Sequence, residues 1–153
     1  MTKIQTLVVS AALAIGMAAP ASAAQSDPEV IIYRFPGVKD NTSLDIATVF
    51  FCTNFSGAFE NIRFVTRAFN VNLVTNVLVG IQHLGTTTVS THGTAQYPAS
   101  SSMNTGSFDG GTTAIAATSI NVICTAAIVD GAAKAVGFTL RGICFNPAPG
   151  SQE

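Results

Sequence analysis

The sequence predicts an all-β fold, a two-sheet antiparallel sandwich of immunoglobulin-like architecture with seven to eight strands. Charged residues make up only 10% of the chain, against about 25% in an average globular protein. Short apolar segments rich in β-branched residues recur along the sequence, and turn residues separate them. No long segment with helical periodicity lies between these segments. Short strands at near-regular spacing are typical of sandwich folds.

The first three strands are predicted in the segments 29–35, 46–53 and 62–70. Pro36 and Gly37 are expected to stop the first strand. The second is a nearly continuous apolar run, typical of a strand with both faces covered. The third alternates only in part, and a helix is the alternative because Ile62, Val65 and Phe69 also fit a helical spacing.

A hairpin is predicted next, with residues 73–84 and the Thr-rich residues 86–91 as its two strands and Gly85 between them. Residues 97–111 then form the longest irregular stretch, with Pro98, three consecutive serines and several glycines. Because long loops without secondary structure are uncommon in compact domains, loop 97–111 is a candidate functional segment.

The last three strands are predicted in the segments 112–118, 119–129 and 136–145. Alternation in segment 119–129 predicts one apolar face made of Ile120, Val122, Cys124, Ala126 and Ile128. In segment 136–145 the residues expected to share a face are Phe138, Leu140 and Cys144. The apolar neighbours of Cys144 predict a buried, inert thiol.

The N-terminus has the pattern of a secretory signal peptide. Lys3 supplies the positive charge, residues 7–19 are apolar, and Ala21-Ser22-Ala23 reads as a cleavage site. We therefore expect residues 1–24 to be removed, residues 25–146 to form a single domain and residues 147–153 to be a flexible tail. The localisation predicted is secreted or periplasmic, with no integral membrane segment after signal cleavage.

The charge balance argues against nucleic-acid binding. Without Lys3, six of the seven basic residues remain against eight acidic ones, and they form no basic stripe. We also expect no cofactor, and the partner, an unknown protein or envelope component, is not specified by any motif. The aspartates Asp40, Asp45, Asp109 and Asp130 are interpreted as turn residues.

Three cysteines allow three disulfide pairings. The predicted strand positions favour Cys52 with Cys124, because the second and about the sixth strands face each other across the core in an immunoglobulin-like topology. Cys144 would then be the free thiol.

Four short segments suggest a resemblance: Cys52-Thr53-Asn54, Asn104-Thr105-Gly106, Cys124-Thr125-Ala126 and the closing residues 145–153. From Ile46 to Glu153 the chain resembles small secreted bacterial β-sandwich proteins of unassigned function. The resemblance implies a β-sandwich and a paired Cys52 and Cys124, and it implies no activity.

The candidate chemistry is limited to His83 and His92, the two histidines of the chain. If segments 73–84 and 86–91 form a hairpin, the two rings approach each other and could provide two ligands of a metal site. The sequence lacks the Gly-x-Ser-x-Gly motif of a serine hydrolase. No catalytic residue and no metal ligand is therefore assigned from the sequence.

The sequence thus favours an exported, non-catalytic β-sandwich that acts by surface contact in the cell envelope or extracellular space. One alternative is a small-ligand or metal binder that uses His83, His92 or loop 97–111. The other is a hydrolase of unknown class.

Overall fold

The computed structural model describes residues 29–70, 72–93, 99–130 and 135–144. The predicted signal peptide and the predicted tail lie outside these residues. Within them the chain is nearly all β structure without an α-helix, and one 3₁₀ turn spans Thr42–Leu44. The strands are β1 Val30–Asn41, β2 Ile46–Asn54, β3 Glu60–Ala68, β4 Leu73–Ile81, β5 Thr86–Ser90, β6 Ser101–Ser102, β7 Phe108–Ala117, β8 Val122–Asp130, β9 Ala135–Leu140 and β10 Ile143–Cys144.

Hydrogen bonds connect these ten strands into one sheet. The main path runs β4-β3-β7-β1-β2-β5-β6, while β8 joins β2 to β9 and β10 joins β1. Every pairing is antiparallel except that of β5 with β6. The predicted antiparallel β structure is confirmed. The connectivity gives one branched, hydrogen-bonded sheet of ten strands, more than the seven or eight predicted.

Strand β1 continues beyond the predicted stop at Pro36-Gly37. The pairing of β1 with β7 shifts register between Pro36 and Val38, and Gly37 has a φ of 78°. A bulge at this point accommodates both the missing N–H of proline and the left-handed backbone of glycine. The strand therefore bends and runs on to Asn41.

The third predicted strand is confirmed, and the helical alternative is wrong. In β3 the side chains of Glu60, Ile62, Phe64 and Thr66 are buried, while their neighbours in sequence are less so. This period of two is that of a strand and not of a helix.

The predicted hairpin of segments 73–84 and 86–91 is wrong. Strand β4 pairs with β3, whereas β5 pairs with β2 in a different part of the sheet. The turn residues around Gly85 ended one strand and began another as expected, but local turn chemistry does not determine which strands pair.

The core is centred on three aromatic rings from the first three strands. Phe35, Phe50 and Phe64 are fully buried, and the centroid of the Phe50 ring lies 5.5 Å from that of Phe35 and 5.7 Å from that of Phe64. Aromatic pairs at this separation add to the free energy of burial. Aliphatic residues from β1, β3, β5, β7 and β8 complete the cluster.

The C-terminal strands differ from the prediction. The predicted strand 119–129 begins only at Val122, so Ile120 lies in a turn and is exposed, whereas Val122, Cys124 and Ala126 are buried as expected. The predicted strand 136–145 is divided at Arg141-Gly142 into β9, which pairs with β8, and β10, which pairs with β1. Phe138 is 74% exposed rather than buried.

Candidate functional site

A buried carboxylate and a histidine from distant parts of the sequence lie in contact. Asp40 is fully buried, and its Oδ1 lies 3.1 Å from Nδ1 of His92. Its Oδ2 accepts a hydrogen bond of 2.9 Å from the hydroxyl of Thr105. The direction of the bond to His92 depends on the tautomer of the ring: an ionised carboxylate would accept it from Nδ1–H.

Three separate segments place these residues together. Asp40 lies near the end of β1, where it pairs with Ala47 of β2 and Phe108 of β7. His92 follows β5 directly, and Thr105 belongs to the loop that follows β6. The main-chain N–H of Thr105 donates to the carbonyl of Thr91 at 3.0 Å, so the loop is attached to the end of β5.

The carboxylate of Asp40 can orient the imidazole ring of His92. A carboxylate on Nδ1 is the arrangement that fixes the tautomer of histidine bases and of metal-binding histidines. The hydroxyl of Ser102 donates to the main-chain carbonyl of His92 at 2.5 Å, and its oxygen lies 3.0 Å from Asn104 Oδ1. The arrangement pairs a histidine with a carboxylate that orients it.

His83 does not join this cluster. It lies in the turn before β5, where Nδ1 accepts a hydrogen bond from the main-chain N–H of Gly57 at 3.1 Å. His92 lies at the other end of β5, so a five-residue strand of about 17 Å separates the two residues along the chain. The predicted approach of the two rings is wrong because the hairpin does not form. In the described part of the chain, no three residues of the types His, Cys, Asp and Glu are grouped to hold a metal ion.

The described part of loop 97–111, residues 99–107, is attached to β5 by hydroxyl groups. The Ser100 hydroxyl donates to the carbonyl of Thr88, and its main-chain N–H bonds to the same carbonyl. Phe108 already begins β7, so the predicted loop is shorter and Asp109 lies exposed in a strand. Of this loop, Thr105 is the residue that reaches the Asp40–His92 pair.

The structure joins Cys52 to Cys124, the pairing that the sequence favoured. The reason for the pairing is different, because the two residues are directly opposite each other on neighbouring strands β2 and β8 and not on facing sheets. Their Cα atoms are 4.2 Å apart, a spacing typical of a pair without backbone hydrogen bonds between its members.

Cys144 is the free cysteine of the described residues, and it is exposed, so the predicted burial of its thiol is wrong. It lies opposite Tyr33 in the pairing of β1 with β10. Burial raises the pKa of Tyr33, and the neighbouring Cys144 raises it further, while a hydrogen bond to the main chain of Cys124 acts in the opposite direction.

A second buried carboxylate was missed by the sequence interpretation. Glu60 at the start of β3 is buried, and its Oε2 accepts a hydrogen bond from the hydroxyl of Thr118. Its Oε1 has no hydrogen-bond partner among the described residues. No sequence signal marked this residue, since an isolated glutamate at a strand end is usually exposed.

A patch on the outer face of β2, β5 and β8 is uncharged and rich in hydroxyl groups. Cys52, Cys124 and Val89 point into the core, so their neighbours on β2, β8 and β5 point to the opposite face. In two rows across the three strands, Phe51 lies between Thr125 and Thr88, and Thr53 lies between Ile123 and Thr86. We call these six residues the hydroxyl-rich face: Phe51, Thr53, Thr86, Thr88, Ile123 and Thr125.

The hydroxyl-rich face is open to solvent at its apolar residues. Phe51 is 38% exposed and Ile123 is 54% exposed. The hydroxyls of Thr53 and Thr86 lie 3.1 Å apart and form a hydrogen bond across the strands. The alternation of threonine with apolar residues in β2 and β8 is visible in the sequence, but the face depends on the pairing of three distant strands.

Comparison with known proteins gives no match, whether with family models, curated proteins or solved structures. The resemblance to small secreted bacterial proteins therefore stays a prediction. No helix in the described part of the chain is long and apolar enough to cross a bilayer.

Proposed function

We propose that the protein is an exported, non-catalytic β-sandwich that acts by surface contact in the cell envelope or extracellular space. The hydroxyl-rich face carries this proposal. It exposes two large apolar side chains among four threonines on adjacent strands and has no ionisable group. Contiguous exposed apolar surface on a small protein is typical of an interaction site.

The sandwich itself is part of the proposal. We infer that the sheet folds over into two layers, with Phe35, Phe50 and Phe64 between them. Contacts between strands that are not hydrogen-bonded to each other support this: a Cβ placed on Gly37 of β1 would lie 3.7 Å from Cδ2 of Leu140 in β9. The hydroxyl of Tyr33 likewise reaches the main chain of Cys124 in β8. Any similarity to immunoglobulin domains would be limited to the two-layer arrangement. The immunoglobulin disulfide joins facing sheets, whereas this one joins neighbouring strands.

The chemistry of the face defines the partner that fits it. A charged surface would lose solvation against threonine and phenylalanine without gaining an ion pair, so the partner is a protein surface that is itself largely uncharged. The disulfide is compatible with export to an oxidising compartment.

The test is co-sedimentation of the purified protein with the envelope fraction of its source. Phe51→Lys introduces a charge at the centre of the face, and we expect it to reduce the sedimented fraction at least ten-fold. Phe69→Lys is the matched control, because Phe69 is 87% exposed in the turn after β3 and lies off the face. Equal retention of both variants, or no retention of the wild type, would contradict the proposal.

A second candidate function is ligand or metal binding at His92, with hydrolysis as its catalytic form. The buried Asp40, which orients the His92 ring, is the observation that favours it. Thermal shift with Zn²⁺ and activity on ester, peptide and glycoside panels would test it. His92→Ala should abolish any shift or activity, and His83→Ala, an exposed histidine off the cluster, is its control.

A further inference from the structure

Strand β4 is a long edge strand. It spans nine residues, or about 30 Å, and within the described residues it pairs with β3 alone. Its outer edge therefore presents a row of main-chain N–H and C=O groups for which the described chain has no partner strand. Such a row is a template for pairing with another strand.

The sequence of β4 lacks the features that normally prevent such pairing. Residues 73–81 contain no charged side chain and no proline. The other strands at ends of the sheet are short or irregular: β6 and β10 have two residues each, and β9 has six with a register shift opposite Ile128 and Val129. The long and unprotected edge of the described sheet is thus β4.

Both faces of β4 carry apolar side chains that an added strand would cover. Leu73 and Leu78 are exposed on it, while Val77 and Val79 are only partly buried against the core cluster. A neighbouring strand would bury all four side chains further and add a ladder of hydrogen bonds.

We propose that β4 pairs with β4 of a second copy of this chain, antiparallel and about a two-fold axis at Val77. This register places Asn76 opposite Leu78 and Thr75 opposite Val79. Paired residues of the two copies therefore lie on the same face of the joint sheet.

The charges around β4 favour a second copy as the occupant. Since the strand has no charge, its self-pairing brings no like charges together. Two cations of β3 lie one strand inward, Arg63 opposite Leu78 and Arg67 opposite Leu73. Arg63 forms an ion pair with Glu29 at 2.6 Å and donates to Asn76 Oδ1 at 3.0 Å. A symmetric dimer would then extend the sheet across both copies.

The oligomeric state tests this directly. In a Cys144→Ser background, light scattering should give the mass of two chains for the wild type, and Leu78→Lys should weaken the dimer at least ten-fold. The matched control is Ile123→Lys, an exposed aliphatic residue on the interior strand β8, which should stay dimeric. This control also separates the dimer from the proposed contact face, because it alters the face and leaves β4 intact.

Cysteine cross-linking tests the register. Val77→Cys should form a disulfide-linked dimer on its own, whereas Asn76→Cys and Leu78→Cys should cross-link only when the two variants are mixed. A single-chain mass at all concentrations would overturn the proposal. So would a dimer that Leu78→Lys leaves unchanged, an assembly larger than two chains, or a dimer in which Val77→Cys does not cross-link.

Discussion

Two buried carboxylates in this protein have opposite surroundings. Each oxygen of Asp40 has a side-chain partner, whereas Oε1 of Glu60 has none among the described residues. A buried polar atom without a hydrogen bond costs about 1–3 kcal/mol, and a charged one costs more. Asp40 thus holds three segments together, and Glu60 is a local source of instability.

Removing the charge of Glu60 should therefore stabilise the protein. We expect Glu60→Gln to raise the free energy of unfolding at neutral pH by about 1 kcal/mol, because the amide keeps an acceptor for Thr118 and costs less to bury than a carboxylate. Urea denaturation measures the change, with Asp109→Asn at an exposed carboxylate of β7 as the comparison. A loss of stability in Glu60→Gln would contradict this prediction.

The raised pKa of Tyr33 predicts a loss of stability in alkali. A phenol whose pKa is higher in the folded than in the unfolded state favours folding below the unfolded value of about 10 and loses that contribution as the pH rises through the folded pKa. Wild-type stability should therefore fall more steeply above pH 10 than that of Tyr33→Phe. Parallel stability curves from pH 8 to about pH 11 would contradict this.

At the scale of strands, the sequence predicts alternation well and pairing poorly. The buried positions Ile62 and Phe64 of β3 follow from a local period of two. The partners of β4 and β5 do not, because turn signals near Gly85 are local whereas both strands pair with distant ones. Cys144 was misplaced for a similar reason: its apolar neighbours indicate burial, but β10 is a two-residue strand with an exposed surface.

The candidate sites were beyond the sequence for the same physical reason. Asp40 looked like a turn residue, since its partners His92 and Thr105 lie 52 and 65 residues away in the chain. The sequence made His92 a candidate site residue. Only the fold shows that His83 lies elsewhere and that the carboxylate of Asp40 lies beside the His92 ring.

The disulfide connects strands β2 and β8 across a sequence separation of 72 residues. Because it closes a long loop in the unfolded chain, it should contribute about 2–4 kcal/mol to the free energy of unfolding. The double variant Cys52→Ala, Cys124→Ala should lose that amount in urea denaturation. Cys144→Ser, at the exposed thiol, is the control and should be unchanged within about 0.5 kcal/mol. Equal stability of both variants would contradict a stabilising role of the disulfide.

At the scale of the whole molecule, the strands pack together around the central ring of the aromatic core. Phe50 contacts both Phe35 and Phe64 and is fully buried. Truncation to alanine at such a site costs about 3–5 kcal/mol. The free energy of unfolding of Phe50→Ala should fall by about 3–5 kcal/mol or more, or the variant should fail to fold. Phe69→Ala at an exposed turn should change the free energy of unfolding by less than about 0.5 kcal/mol. Similar losses for both variants would argue against a core between the strands.

The proposed contact face and the core both depend on one register, because a slip of a single residue would exchange the two faces of β2 and β8. Nuclear Overhauser spectroscopy of the oxidised protein measures this register directly. We predict strong Hα–Hα contacts between Cys52 and Cys124, and at the flanking pairs Phe50 with Ala126 and Asn54 with Val122, since close pairs alternate along an antiparallel ladder. Strong contacts instead between Cys52 and Ile123, or between Cys52 and Thr125, would indicate a slip of one residue and contradict the register, and with it the face that we propose for partner binding.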